Sequence, residues 1–166
     1  MKRFFAFLSL IAVVAVAVAQ VGPLAVDWEL KGFNKEKRNC RCELTICNVG
    51  NENLSDNWAL YFNNFPRTFV VEKNCPFTID KVQTGYFKLT PKKGFKLSKG
   101  KTAKVKYTVS GVVPSLSYAP DGGHVTIGDA APLPAPIRKK PMKKGTFATT
   151  KAYPTGEKLY ELYSSV

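Results

Sequence analysis

Two tyrosines, Tyr61 and Tyr86, each stand two positions from a polar residue, Asn63 and Lys88, in segments that alternate like strands. A flat phenol ring can stack on the apolar face of a pyranose while such neighbours hydrogen-bond its hydroxyls. These four residues are therefore candidates for holding a sugar. Arg67, at the beginning of the next strand, and Tyr118, in a late loop, extend the set. Tyrosine also favours strand surfaces without any ligand, so the residues alone leave an ordinary sheet surface open as well.

Other chemistry is weaker. No Gly-x-Ser-x-Gly elbow and no phosphate-cradling glycine motif occur. The sole histidine, His124, follows Asp121-Gly122-Gly123 and reads as a residue of a surface loop. Cys40, Cys42, Cys47 and Cys75 allow three complete pairings, between which the sequence does not choose. Cys40 and Cys42 would share one strand face, where a direct bridge is strained, so at least one bridge to Cys75 is expected. A four-thiol zinc site is the competing reading, but it lacks the usual Cys-x-x-Cys spacing. No cofactor is implied.

The elements that must position these residues are strands. Leu24, Val26, Trp28 and Leu30 alternate with Asp27, Glu29 and Lys31, and Cys42, Leu44 and Ile46 alternate with Glu43 and Thr45. Trp58, Leu60 and Phe62 oppose Ala59, Tyr61 and Asn63. Phe87 and Leu89 oppose Tyr86 and Lys88, and Ala103, Val105, Tyr107 and Val109 oppose Lys104 and Lys106. Period-2 alternation of this kind marks half-buried strands, and the Asn- and Gly-rich segments between them mark turns. The expected fold class is all-β, an antiparallel β-sandwich. Parity sends Trp28 and Trp58 inward, away from the row of exposed Trp with which many sandwich modules grip crystalline polysaccharide.

Asn57-Trp58-Ala59-Leu60-Tyr61-Phe62-Asn63, the run Lys88-Leu89-Thr90-Pro91-Lys92-Lys93-Gly94-Phe95-Lys96-Leu97-Ser98-Lys99-Gly100, and Cys42-Glu43-Leu44-Thr45-Ile46-Cys47-Asn48 carry a resemblance. Across about residues 24–113 the chain resembles the N-terminal domain of bacterial chitobiases and β-hexosaminidases. The resemblance implies an immunoglobulin-like sandwich similar to carbohydrate-binding modules, a glycan or polysaccharide as partner, and possible association with a separate glycoside hydrolase chain. That family domain normally precedes a family-20 hydrolase barrel bearing an Asp-Glu pair in a His-x-Gly-Gly-Asp-Glu type motif. Asp121-Gly122-Gly123-His124 has similar letters in another order and lacks the Glu, so a non-catalytic binding domain is expected. The alternative is a structural or interaction domain, left from or accessory to a split or truncated β-N-acetylhexosaminidase.

The chain ends carry separate signals. Lys2 and Arg3 precede an apolar run from Phe4 to Ala19 that closes on Ala17-Val18-Ala19. This is the pattern of a cleaved secretory signal peptide, over residues 1–19, and the run is short for a membrane span. A periplasmic or secreted protein without stable membrane insertion is expected, in a compartment where disulfides persist. The sandwich is assigned to 20–127. Pro132, Pro134, Pro136 and Pro141 among Arg138, Lys139, Lys140, Lys143 and Lys144 suggest a basic, Pro/Lys-rich linker over 128–150. A short segment over 151–166 has the pattern of a helix starting at Thr155. The formal charge of +13 suits attraction to anionic surfaces, and an exported chain has little occasion to meet nucleic acid.

Overall fold

A computed structural model describes residues 22–142. Ten strands follow in chain order: β1 (Leu24–Asn34), β2 (Asn39–Asn48), β3 (Trp58–Asn63), β4 (Phe69–Val71), β5 (Phe77–Gln83), β6 (Tyr86–Pro91), β7 (Thr102–Ser110), β8 (Asp121–Ile127), β9 (Leu133–Pro134) and β10 (Ile137–Lys139). A 3-10 turn, Leu116–Tyr118, lies between β7 and β8. The strands form two five-stranded sheets, ordered β10-β1-β2-β7-β4 and β5-β6-β3-β8-β9. The all-β sandwich is the fold that the alternation predicts.

Register follows the apolar faces, because a one-residue slip would turn each inward set to water. Trp28 pairs with Leu44, which pairs in turn with Val105, and Leu60 lies between Leu89 and Val125. All six are buried, in one core cluster between the sheets. Phe69 of β4 ties the layers together, with its ring 4.5 Å from Phe87, 6.1 Å from Phe62 and 5.3 Å from Tyr107. Inside the first sheet, the Trp28 indole N–H donates to the Tyr107 hydroxyl at 2.9 Å. That bond satisfies a donor which burial would otherwise leave without water.

Asn48 is fully buried, which its place beside a turn-rich segment does not suggest. Its side-chain amide donates to the carbonyls of Glu52 and Leu97 and its oxygen accepts from Gly50 N–H. One side chain thus pins two loops. Glu43 points outward, as expected, yet is only 5% exposed because Lys31 and Lys104 close over it at 3.5 and 3.7 Å.

The segment from Gly128 differs from the linker that its prolines suggest. Leu133–Pro134 pairs with β8, and Ile137–Lys139 runs parallel to β1, with Val26 opposite Ile137. Ala135 and Ile137 are buried among the core residues while Pro134, Pro136 and Arg138 stay exposed. The prolines occupy alternate positions at sheet edges, where a missing N–H is tolerated. Gly22 N–H still finds the Pro134 carbonyl, and Ala135 N–H finds that of Gly123. Arg138 adds a contact to Asp27 at 2.7 Å, and Lys139 one to Asp121 at 3.0 Å. The sandwich therefore runs beyond residue 127. The leader expected over 1–19, the remainder of the basic segment and the helix expected from Thr155 lie outside the described residues.

Candidate functional site

The site begins with the place of β3 in its sheet. Tyr61 lies opposite Lys88 of β6 on one side and His124 of β8 on the other. Directly paired residues of neighbouring strands share a face, so the side chains of all three stand on the solvent side. Asn63, two positions on, pairs with Tyr86 and Asp121.

The rings come together as a group. Tyr61 and His124 have centroids 5.1 Å apart with planes only 6° from parallel. Tyr61 and Tyr86 are 5.8 Å apart at 20°, and Tyr86 and His124 6.2 Å apart at 21°. The three separations are similar, so the rings are not a column of three, in which the outer pair would be about twice as far apart as its neighbours. They form a triangular platform in which Tyr61 and His124 overlap face to face. The Tyr86 hydroxyl lies 3.2 Å from His124 Nε2, within hydrogen-bond distance, which ties these two rings together. Lys88 Nζ sits 5.7 Å from the Tyr61 ring centre, in cation–π range. Burial, and then the nearby Tyr61, push the Tyr86 hydroxyl above its ordinary pKa, keeping it a neutral donor and acceptor.

Around these rings are polar groups of both kinds. Asn63 is exposed at the end of β3. Asp121 pairs with Lys139, and that contact, with the Gly122 N–H, holds its carboxyl below the usual range. The arrangement gathers half-buried aromatic rings with donors and acceptors at its margin. Those are the elements of pyranose recognition.

The structure divides the six sequence candidates. Tyr61, Asn63, Tyr86 and Lys88 fall on this platform. Arg67 and Tyr118 lie apart, in a cleft at the end of the sandwich where Phe65 joins them. His124, expected in a surface loop, instead stands within β8, half-buried against Tyr61. Its position directly before the inward Val125 of a Val125-Thr126-Ile127 run carried a faint strand signal, hidden by the glycines before it. Those glycines are there for a reason: a Cβ on Gly123 would collide with the Ala135 carbonyl.

The cysteines are free, and the expected bridge to Cys75 is absent. Cys40 and Cys42 lie opposite Val109 and Tyr107 on the buried face of β2, filling core space as small apolar residues do. Burial pushes the Cys42 thiol up to about 12, with Cys40 beside it adding to the shift. A thiol so far from ionising is a poor nucleophile and a poor metal ligand. Among the described residues no three His, Cys, Asp or Glu side chains converge as a metal site.

No protein-family model matches the chain, and no curated protein matches it. Solved structures do. The described fold is similar to part of the GH20 exo β-N-acetylglucosaminidase of Vibrio harveyi in complex with N-acetylglucosamine, with a TM-score of 0.56 at 20% identity, over 73% of this chain and 18% of that one. An inactive mutant of that enzyme aligns with a TM-score of 0.54 at 18% identity, over the same shares. The module CBM3b from a Clostridium thermocellum cellobiohydrolase aligns over 69% of this chain and 98% of its own, at 12% identity and a TM-score of 0.46. The chain thus spans under a fifth of the V. harveyi enzyme, and what it shares with it is the fold. That likeness agrees with the resemblance to the hexosaminidase N-terminal domain.

Proposed function

We propose that this chain is an exported, non-catalytic carbohydrate-binding domain whose ligand stacks on Tyr61, Tyr86 and His124. The observation that carries the reading is the near-parallel grouping of those three rings on the solvent face of one sheet. Asn63 and Lys88 supply hydrogen bonds to ring hydroxyls, and the flat rings select for pyranoses over flexible or highly charged ligands. Amino-sugar glycans are the first class to test, because the V. harveyi enzyme, part of which this fold resembles, was solved with N-acetylglucosamine. The leader signal supports export to the periplasm or beyond. Among the described residues no helix is long and apolar enough to cross a membrane. Partners are a glycan and, in the accessory version of this role, a separate hydrolase chain, with no part for nucleic acid.

The test is titration of the protein with chitooligosaccharides at low and high salt, comparing the native chain with Tyr61→Ala, Tyr86→Ala and His124→Ala. Binding that survives salt and weakens in all three variants is expected. Binding that is absent, or that salt removes and the variants leave unchanged, would replace this role with that of an interaction domain.

A further inference from the structure

The end of the sandwich holds a second constellation, built from other elements than the platform. A cleft of about 500 Å³ opens where β3 leaves its sheet, β7 ends and the β1–β2 turn passes, with Arg38, Phe65, Arg67 and Tyr118 on its walls. Its size falls within the usual range for small-ligand sites. Phe65 is 55% exposed, and its ring meets that of Tyr118 at 5.3 Å and 50°, so the two form an angled apolar wall.

Arg67 lies across that wall, its guanidinium carbon 5.3 Å from the Phe65 ring centre and 5.9 Å from that of Tyr118. Its Nη1 donates to the Val112 carbonyl at 3.3 Å, and its buried Nε has no partner. Guanidinium has five N–H donors, so the Nη groups retain donors for a ligand. Burial makes Arg67 hold its proton less tightly than an ordinary arginine, the mark of a cation partly stripped of water. Among the described residues no Asp or Glu lines the cleft, and neither Arg67 nor Arg38 forms an ion pair. Arg38 adopts a left-handed backbone, φ 46°, and its carbonyl accepts from Gly111 N–H, which ties its turn to the opposite wall.

We propose that this cleft is a separate site for an acidic sugar, the oxyanion of which is held by Arg67 and Arg38 while its ring lies against Phe65 and Tyr118. A planar guanidinium fixed on aromatic faces is suited to bidentate recognition of a carboxylate, and a sulfate ester presents the same oxygens. The high positive charge of the chain concentrates acidic polymers near it. The inference does not depend on the platform: the two sites use different residues and are separable by mutation.

The experiment is titration by NMR of the ring resonances of Phe65 and Tyr118 in 0.15 M salt, roughly the ionic strength at which loose surface attraction is screened. The probes are trigalacturonate, its methyl ester and inorganic sulfate. Trigalacturonate is expected to shift both rings, its neutral ester to bind at least about tenfold more weakly, and sulfate to compete if the site reads the oxyanion alone. Arg67→Lys should weaken trigalacturonate binding by about tenfold, since ammonium lacks the planar fork. Arg38→Asn, which tolerates the left-handed turn, should weaken it without unfolding the chain. Tyr61→Ala should leave it unchanged. Equal binding of acid and ester, or acid binding indifferent to Arg38→Asn and Arg67→Lys, would overturn the proposal. Should Arg67→Lys lower the melting temperature, the Arg38→Asn titration decides.

Discussion

The Trp28 indole N–H and the Tyr107 hydroxyl meet at 2.9 Å inside the first sheet, although Leu44 of β2 separates their strands. Tyr107 is fully buried, and its hydroxyl accepts the indole N–H, with the Cys42 sulfur as a weaker neighbour of the same donor. Tyr107→Phe keeps the ring and removes the stronger acceptor, so it should cost about 0.5–1.5 kcal/mol in urea unfolding. Glycan binding, which the proposed role places on the other sheet, should not change.

The pH dependence of stability follows from the same neighbourhood. Burial raises the Cys42 thiol from 9.0 to about 12 and keeps Tyr107 protonated well above its ordinary range. Both folded values exceed the unfolded ones. Their stabilising effect is complete below about pH 9 and is lost as pH rises, because the unfolded chain ionises first. At about 1.4 kcal/mol for each unit of difference, Cys42 alone should remove several kcal/mol by pH 12. Cys42→Ala should show a shallower fall between pH 9 and 12, measured by urea midpoints. A fall as steep as that of the native chain would assign the effect to other groups.

The two ring-bearing neighbours of β3 should separate stability from binding. Trp58 is 2% exposed and packs against Phe77, so Trp58→Ala should cost about 3–5 kcal/mol. Tyr61 is half-buried on the solvent face. Tyr61→Ala should change stability by less than about 1.5 kcal/mol, while lowering chitooligosaccharide affinity.

Asn48→Ala removes three hydrogen bonds at a fully buried position, and leaves the Glu52 and Leu97 carbonyls without their side-chain donor. A loss on the order of 3 kcal/mol is expected, with faster amide exchange at Gly50 and around Leu97. Unchanged exchange at both places would show that the side chain does not pin these loops.

Gly123→Ala places a methyl against the Ala135 carbonyl, a backbone atom that cannot swing aside. The segment from Leu133 to Lys139 should loosen from β8 and β1, seen as new proteolytic cleavage near Arg138. Purified chain should also fail to release product from a chromogenic N-acetylglucosaminide, in keeping with the binding role proposed above.

Period-2 alternation was enough to sort Trp28, Trp58, Leu60, Phe62, Phe87 and Leu89 inward and Tyr61, Tyr86 and Lys88 outward, because side-chain direction in a strand is a local property of the backbone. It was also enough for the fold class. What the sequence alone left open is adjacency. Tyr61 and Tyr86 form one platform with His124 because β3 happens to lie between β6 and β8, a pairing between segments about 25 and 65 residues apart that no local pattern encodes. The same long-range choice carried Arg67 and Tyr118 to a different end of the molecule, and kept Cys40 and Cys42 in the core against β7. It drew Ala135 and Ile137 into that core from a proline-rich stretch, since burial rewards an alternating apolar edge even where the prolines that flank it speak locally for a linker.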